Sequence, residues 1–360
     1  MDPLSTVRRR LAEQRLTGDP FDAVGESVAW FGAVQGQEYA EAKWSLAERT
    51  GSCVDADVEA AFARGDIIRT HVLRPTWHFV AREDVRWILR LTRPRVHALS
   101  RYYYKQLELD ADVFAAGHAV LRRALADGVA LTRRELAECF AAAGIEAGSL
   151  RLGYLLMHAE LEELICSGPR RGKQHTYALL DDRVPPSPLD ELSRDQALDE
   201  LALRYFRSHG PATIKDFTAW SSLTVADTKA ALGRLGGELE QVGDEAGKAW
   251  YAAPVARTSS SRAAGAYLIP TYDETIVAYQ DLRVVLAHEP PRPGLLVRCI
   301  VIGGRTHGSW RRTLTARSVV VEATLFGGLT DAESESLGQA VLRFGRFLGL
   351  PAFLDARQPT

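Results

Sequence analysis

The chain has 360 residues, of which 46% are hydrophobic and 25% charged, a composition that excludes wholesale disorder and predicts two or three globular modules. Its formal net charge of −2 excludes a polycation, so any surface for nucleic acid must be a local patch. No apolar run reaches the ~20 residues of a membrane-spanning helix, and the arginine-containing N-terminus lacks the apolar stretch of a signal peptide, so we expect a cytoplasmic protein.

Residues 1–112 are predicted to form a first winged helix-turn-helix module with its connecting helices. Its helices are predicted over 5–16, 22–34, 38–49 and 54–65. Residues 66–81 alternate between apolar and polar side chains, as a β-hairpin does. Residues 83–126 have a helical pattern and are expected to connect this module to the next.

Residues 113–184 predict a second module of the same kind. Thr132 is followed three residues later by Glu135, which is the pattern of a capping box at the start of a helix. That helix is expected to stop at Gly144. A second helix with leucines at helical spacing and two strands around a basic turn follow, which is the order of a winged helix-turn-helix.

The same order returns in residues 190–256, after a linker marked by Pro185, Pro186 and Pro188. The phrase ATIKDFTAW repeats the threonine and the acidic residue of LTRRELAEC at the same spacing. The two predicted strands of this module surround an acidic turn, GDEAGK, which would repel phosphates. We therefore expect the third module to pack or scaffold rather than to contact DNA through its turn.

Residues 257–360 are predicted to form a strand-rich C-terminal portion packed on the modules. Gly303 and Gly304 indicate a tight turn, and an amphipathic helix over 335–351 is expected to end before Pro351. The fold class is therefore α+β, with three tandem winged helix-turn-helix modules and this strand-rich portion.

Four side chains of the second predicted hairpin suggest a phosphate-binding wing. Arg170, Arg171, Lys173 and His175 fall within one turn. Basic side chains on an exposed tip suit the neutralisation of DNA phosphates. The alternative is an ordinary solvated turn.

Three further arginines are candidates for DNA contact. Arg311 and Arg312 follow Trp310 in a predicted strand, where adjacent side chains face opposite sides, so only one of them can meet a given ligand. A half-buried tryptophan beside a surface arginine is the alternative. Arg262 lies in the phrase SSSRAAG, where a plain loop is the alternative to a phosphate contact.

The candidate reaction centre is the pair Gln35 and Gln37, in the phrase VQGQ at the end of an apolar helix. On a regular helix two residues this close are about 200° apart, so we expect Gly36 to relax the backbone and let both amides point into one cleft. A polar loop is the alternative. No P-loop, GxSxG or HExxH motif is present. The spacing of the cysteines predicts no disulfide, metal or cofactor; they are Cys53, Cys139, Cys166 and Cys299.

Four stretches resemble the AlkZ family of bacterial DNA glycosylases, which includes the YcaQ branch. They are VQGQ (34–37), THVLRPTWHFV (70–80), residues 205–224, and residues 267–281 with 303–312. The resemblance implies that Gln35 and Gln37 are catalytic, in the branch that carries Gln-x-Gln rather than Gln-x-Asp. It also implies three winged helices in a C-shaped body around double-stranded DNA that bears alkylated purines, and removal of N7-alkylated bases. We expect the chain to be a monomer. Some members of the family unhook interstrand crosslinks, and some give self-resistance to a DNA-alkylating natural product.

The chemistry of such a substrate agrees with a pair of amides. An N7-alkylguanine is cationic, so it leaves as a neutral base and needs no general acid. Amide groups can position a water and stabilise the developing sugar cation without ionising. No lysine stands in the motif to form a Schiff base, which predicts a monofunctional glycosylase.

Thr76, His78 and Asp273 are candidate supporting residues. Thr76 and His78 share one face of a predicted strand and could line the cleft, although His78 could equally be structural. Asp273 could orient water, or it could be a helix cap or an arginine partner. The competing function for the whole chain is a non-enzymatic winged-helix protein that binds DNA or a drug.

Overall fold

The computed structural model describes residues 2–243, 249–254, 265–281 and 298–357. Its helices are α1 Pro3–Glu13, α2 Val24–Phe31, α3 Tyr39–Ala47, α4 Asp55–Arg64, α5 Val85–Gln106, α6 Ala111–Ala124, α7 Arg133–Ala142, α8 Ser149–Leu161, α9 Leu180–Arg183, α10 Arg194–His209, α11 Ile214–Ser221, α12 Val225–Leu235, α13 Glu274–Val277 and α14 Asp331–Leu348. Its strands are β1 Val34–Gln35, β2 Ile67–His71, β3 Trp77–Ala81, β4 Leu131–Thr132, β5 Ile165–Arg171, β6 Gln174–Leu179, β7 Glu240–Gly243, β8 Ala249–Ala252, β9 Ala266–Ile269, β10 Cys299–Ile302, β11 Arg305–Leu314, β12 Val319–Leu325 and β13 Ala352–Arg357. Within these ranges no helix is long and apolar enough to cross a membrane. The predicted α+β class is confirmed.

The first unit has the order helix, strand, helix, helix, strand, strand, from α2 through β1, α3, α4, β2 and β3. Its sheet has the order β1-β3-β2, and Val34 and Gln35 pair with Phe79 and His78. The prediction of one helix over 22–34 was wrong at its end. Gly32 has a φ of 77°, which an L side chain adopts with strain, so α2 stops there and the chain continues as a strand.

The second unit repeats this order, from α6 through β4, α7, α8, β5 and β6, with the sheet order β4-β6-β5. The predicted capping box is confirmed. The backbone N–H of Thr132 donates to Glu135 Oε2 at 2.7 Å, and Thr132 Oγ1 accepts from the backbone N–H of Glu135 at 3.3 Å. Each end of the box satisfies a backbone donor, which fixes where α7 begins.

The third unit comprises α10, α11, α12, β7 and β8, and the bridge between Ala212 and Tyr251 stands where the other units have their first strand. Thr213 caps α11 in a reciprocal box with Asp216, at the position that the repeated sequence phrase predicts. Residues 244–248 of the acidic turn lie outside the described residues.

The C-terminal portion is a five-stranded sheet, ordered β13-β12-β11-β10-β9, with α14 packed against it. Gly303 and Gly304 form the predicted turn between β10 and β11, with φ angles of 59° and 86°. The closing helix was predicted over 335–351, but it spans Asp331–Leu348. The sequence analysis missed β13, which follows α14 and pairs parallel with β12.

The sheet of the first unit lies between two hydrophobic cores. One face carries Ile68 and Val80 and packs against buried side chains of α5, α8 and α10. The opposite face carries Val34 and Phe79 and packs against β9–β12 and α14. A third core fills the second unit. Strand β1 is therefore packed between two cores. The predicted module boundaries and the C-shaped arrangement stay predictions.

Candidate active site

Strand β1 places Gln35 at the edge of the first sheet, and Gln37 follows directly after it. Gln35 thus lies in a strand, whereas Gln37 lies in the bend that follows it, and the predicted convergence of both amides on one cleft stays a prediction. The pairing with β3 continues past the strand, because the backbone N–H of Gly36 donates to the carbonyl of Trp77 at 2.8 Å. Gln35 is 9% exposed, whereas Gln37 is exposed.

Gln35 is held at its backbone and at its side chain. Its backbone N–H donates to Glu274 Oε1 at 2.8 Å, and its side-chain Oε1 accepts from Arg74 Nη2 at 3.1 Å. Because a guanidinium can only donate, this contact identifies the oxygen of the amide. Glu274 Oε2 accepts from Trp220 Nε1 at 3.0 Å and lies 3.4 Å from His209 Nε2. The fully buried Glu274 thus joins α13 and the third unit to the strand of Gln35.

Arg74 belongs to the short loop between β2 and β3. Burial lowers the pKa of its guanidinium, and the nearby Glu274 opposes that shift. The preceding Leu73 has a φ of 61°, and its backbone N–H donates to Thr92 Oγ1 at 3.3 Å. A leucine in this left-handed region is strained, and the surrounding contacts must over-determine it. Arg74 follows this residue directly, and its guanidinium contacts Gln35.

His78 is the cross-strand neighbour of Gln35 and is fully buried. Burial lowers its pKa well below 6.5, and the charge of Arg74 lowers it further, so the imidazole is neutral at neutral pH. Its Nδ1 lies 2.9 Å from the carbonyl of Thr76 and must carry the proton there. Within the described residues, His78 Nε2 and Thr76 Oγ1 have no hydrogen-bond partner. His78 therefore offers an acceptor lone pair beside Gln35.

Asp273 does not lie free in the cleft. Its two oxygens accept from Arg49 at 2.8 and 2.9 Å, from Ser45 Oγ at 2.6 Å and from the backbone N–H of Thr275 at 2.8 Å. It is both the arginine partner and the helix cap that the sequence analysis kept as alternatives. The sequence analysis missed the role of Glu274, because the acidic pair in PTYDET does not reveal which carboxyl group faces β1.

A cavity of about 140 Å³ lies between the first and second units. Trp77 forms part of its wall, and the backbone N–H of Trp77 lies 3.4 Å from Gln37 Oε1. His71, at another wall, is bonded to the buried Glu160. An apolar cavity of roughly 150 Å³ is enough to bind benzene, so this one has room for a planar ring. The lining residues are His71, Pro75, Trp77, Arg133, Leu150, Gly153, Tyr154, Leu156, Met157 and Tyr177.

The basic hairpin differs from the predicted wing. Arg170 is half-buried, with Nη1 at 2.6 Å from Glu59 Oε1 and its guanidinium 4.8 Å from the centre of the Tyr39 ring. The His175 ring packs edge-on against Tyr39, and burial and neighbouring arginines lower its pKa to about 4. These two side chains therefore bind the first unit, and placing them on an exposed tip was wrong.

Arg171 and Lys173 do lie at the exposed turn. Arg171 is 54% exposed and bonds Glu135 Oε1 at 2.7 Å, and Lys173 is exposed. We expect replacing both by alanine to reduce the slope of log K against log[salt] for duplex DNA by about 1–2, because each phosphate contact contributes about 0.9. Fluorescence anisotropy across a salt series measures this slope. Arg170→Ala is the matched control and should leave it unchanged; an unchanged slope in the double variant would exclude the turn from the DNA interface.

The arginines of β11 alternate as predicted. Arg311 is exposed, whereas Arg312 Nη2 lies 3.0 Å from the buried Glu41 and its guanidinium 5.7 Å from the Phe344 ring. Trp310 is 2% exposed, so it belongs to the core. Of the two arginines, only Arg311 is presented to a large ligand. Arg262 lies outside the described residues.

A family model, a relative and a solved structure each match most of this chain. The model of the family of AlkZ-like DNA glycosylases matches residues 28–347. The interstrand DNA cross-link repair glycosylase of Streptomyces sahachiroi is 27% identical over 331 residues, which are 84% of this chain and 85% of that protein. The solved structure of Streptomyces sahachiroi DNA glycosylase AlkZ covers 99% of both chains with a TM-score of 0.77 and 21% identity, which shows a common fold.

Proposed function

Since the chain belongs to the AlkZ-like family of DNA glycosylases, and so hydrolyses N-glycosyl bonds, we propose that it excises N7-alkylated guanine from double-stranded DNA. We propose further that it acts on bulky adducts and in the repair of interstrand crosslinks, the process named for the Streptomyces sahachiroi relative. We propose DNA repair or self-resistance to a DNA-alkylating natural product as the biological setting. The observation that carries the proposal is Gln35, held between Arg74 and Glu274. Membership of an enzyme family disfavours the purely DNA-binding alternative.

The leaving group explains why an amide site suffices. Alkylation at N7 puts a positive charge on guanine, and cleavage of the bond to the sugar discharges it, so the base departs neutral. A glutamine does not titrate near neutral pH and cannot act as a general acid or base. The site therefore suits cationic lesions and is poorly suited to a neutral base such as uracil, whose departure needs help with a negative charge.

The sugar that remains becomes an oxocarbenium-like cation, and the site holds groups that stabilise positive charge. Both oxygens of Glu274 accept hydrogen bonds from N–H donors, of Gln35 and of Trp220. We propose that this carboxylate, next to the Gln35 backbone, stabilises the cation in surroundings that screen charge weakly. Preorganised charge of this kind is a large contribution to catalysis.

Water is the nucleophile, and we propose that it is held by the amides and by His78. Gln37 is exposed, so its amide is accessible to solvent and to DNA. The second lone pair of the Gln35 oxygen and the free Nε2 of His78 are acceptors for the protons of a bound water. Orientation of the water towards C1′ lowers the barrier without a titrating base.

The cavity between the first and second units is the proposed place for the alkylated base. A glycosylase acting on duplex DNA must extrude its target nucleotide into a pocket. Trp77, Tyr154 and Tyr177 line this cavity together with Arg133, and aromatic side chains of such pockets stack on an extruded base. We propose that the alkylated base is held there by stacking.

The direct test is incubation of the protein with duplex DNA that carries one 7-methylguanine. We expect free 7-methylguanine and alkali-labile abasic sites well above the no-enzyme control, with no strand breaks before alkali. A duplex with uracil in the same position is the matched control and should stay intact. A retarded band without base release would show binding alone and overturn the proposal.

A further inference from the structure

Three side chains suited to metal binding converge between α5 and α8, away from Gln35. They are His97 on α5, His158 on α8 and Glu162 at the end of α8. One ligand atom from each lies within 4.8 Å of the others. His158 and Glu162 are four residues apart, a spacing that places two side chains on one face of a helix. Within the part of the chain that the structure describes, this group of His, Cys, Asp and Glu residues alone meets that distance.

One ring nitrogen of each histidine has a polar partner that orients the ring, which leaves the other nitrogen available to a ligand. His97 Nδ1 lies 2.9 Å from Tyr104 Oη, which leaves Nε2 directed at Glu162 Oε1, also at 2.9 Å. His158 Nδ1 lies 3.1 Å from His118 Nε2. Metal-bound histidines usually have such a partner on the nitrogen that does not bind the metal.

The His158 ring is also held by packing and by a hydrogen bond. It stacks on Phe114 with ring centroids 3.6 Å apart and an angle of 15° between the planes, so its direction is fixed. Its bond with His118 requires one ring nitrogen to donate and the other to accept, so at least one of the two imidazoles is neutral. Neutral imidazole is the form that binds metal ions.

We propose that His97, His158 and Glu162 bind a divalent transition metal ion of the Zn²⁺ class, with His118 positioning His158. Two imidazoles and one carboxylate are an established zinc ligand set, with water at the remaining position. The ion would fasten α5, which leads out of the first unit, to the final helix of the second unit. The sequence analysis expected no metal because it considered cysteine spacing, whereas His97 and Glu162 are 65 residues apart in the chain.

The test uses full-length protein without an affinity tag, freed of metal by a chelator. At a Zn²⁺ concentration ~100 times its Kd, we expect the midpoint of thermal unfolding to rise by roughly 3–5 °C. Mg²⁺, which prefers oxygen ligands and octahedral geometry, should leave the midpoint unchanged. Co²⁺ in place of Zn²⁺ should give visible d–d absorption.

Matched variants distinguish this site from adventitious binding. Glu162→Gln and His97→Gln should each weaken Zn²⁺ binding at least ~10-fold and reduce the Co²⁺ absorption at the concentration that saturates the wild type, because an amide is a poor metal ligand. Glu146→Gln alters an exposed carboxylate of the same unit and should bind as the wild type does. The proposal is overturned if the wild type shows neither the shift nor the absorption, or if Glu162→Gln binds Zn²⁺ as tightly as the wild type.

Discussion

Replacing Gln35 or Gln37 by alanine should slow the excision of 7-methylguanine by roughly 10-fold to 1000-fold, about 1.4–4 kcal/mol of activation free energy. Each change removes an amide that we propose to orient the water or to stabilise the cationic sugar. Binding of undamaged duplex DNA should change little, because phosphate contacts dominate it. Single-turnover release of the free base measures the chemical step without product release.

The two variants need different folding controls. Gln37 is exposed, so its replacement should leave the thermal unfolding midpoint unchanged. Gln35 is buried and accepts from Arg74, so its removal leaves a guanidinium donor unpaired and should lower stability by about 1–3 kcal/mol. Wild-type excision rates in both folded variants would contradict the assignment and direct attention to Glu274 and His78.

The variant Gln37→Asp tests the same site more finely. It recreates the Gln-x-Asp pattern of the other branch and adds a group that can ionise. We expect it to stay active and to acquire a pH dependence near the carboxylate pKa, which the wild-type amide lacks.

Replacing Asp273 by asparagine should lower the free energy of unfolding by about 3–5 kcal/mol, the range for removing one partner of a buried ion pair. Arg49 is 1% exposed, and both of the hydrogen bonds that it makes to Asp273 connect the segment that follows α3 to the N-terminus of α13. A neutral amide would leave the guanidinium buried without its counter-charge. Urea unfolding measures the loss, and Asp331→Asn, at an exposed position of α14, is the matched control. A loss below ~1 kcal/mol would contradict the assigned role.

The same ion pair gives a pH dependence with a defined sign. Burial alone would raise the pKa of Asp273, but Arg49, Ser45 and the backbone of Thr275 together hold it below the ordinary value of 3.8. Because folding favours the ionised carboxylate, its contribution to the free energy of unfolding is fully present above pH ~4. This contribution is lost as the pH falls through the lower pKa of the folded state. Asp273→Asn should therefore show a weaker acid destabilisation than the wild type.

The repeated units were accessible from sequence because their signals are local. A capping box is written in residues three apart, so Thr132 with Glu135 and Thr213 with Asp216 could be located without any tertiary contact. Strand β1 was missed because two residues are too few to show the alternation of a strand. Their partners in β3 lie about forty residues later in the chain. Strand β13 was missed because its partner β12 lies before the helix α14, so that their pairing is not local in the sequence.

The candidate site depends on contacts between residues that are far apart in the chain, which local sequence patterns do not predict. The family resemblance selected Gln35 and Gln37, the alternation of a predicted strand selected His78, and the structure brings Gln35 and His78 together as cross-strand neighbours. The sequence could not predict that Asp273 faces Arg49 while the adjacent Glu274 faces Gln35, because that choice follows from how α13 approaches β1. The sequence also could not predict that Arg170 pairs with Glu59, since a basic hairpin has the same sequence whether its tip is solvated or covered.

The two cores on either side of the first sheet have a consequence for synthesis of the chain. Strand β3 ends at Ala81, but the helix that completes one of its cores ends at Leu348, some 270 residues later. At ~5–20 residues per second, roughly 15–50 s pass on the ribosome before this partner exists. During that time Val34 and Phe79 lack the apolar cover that α14 and its sheet provide. We therefore expect a premature stop before α14 to yield an aggregation-prone fragment rather than a smaller glycosylase.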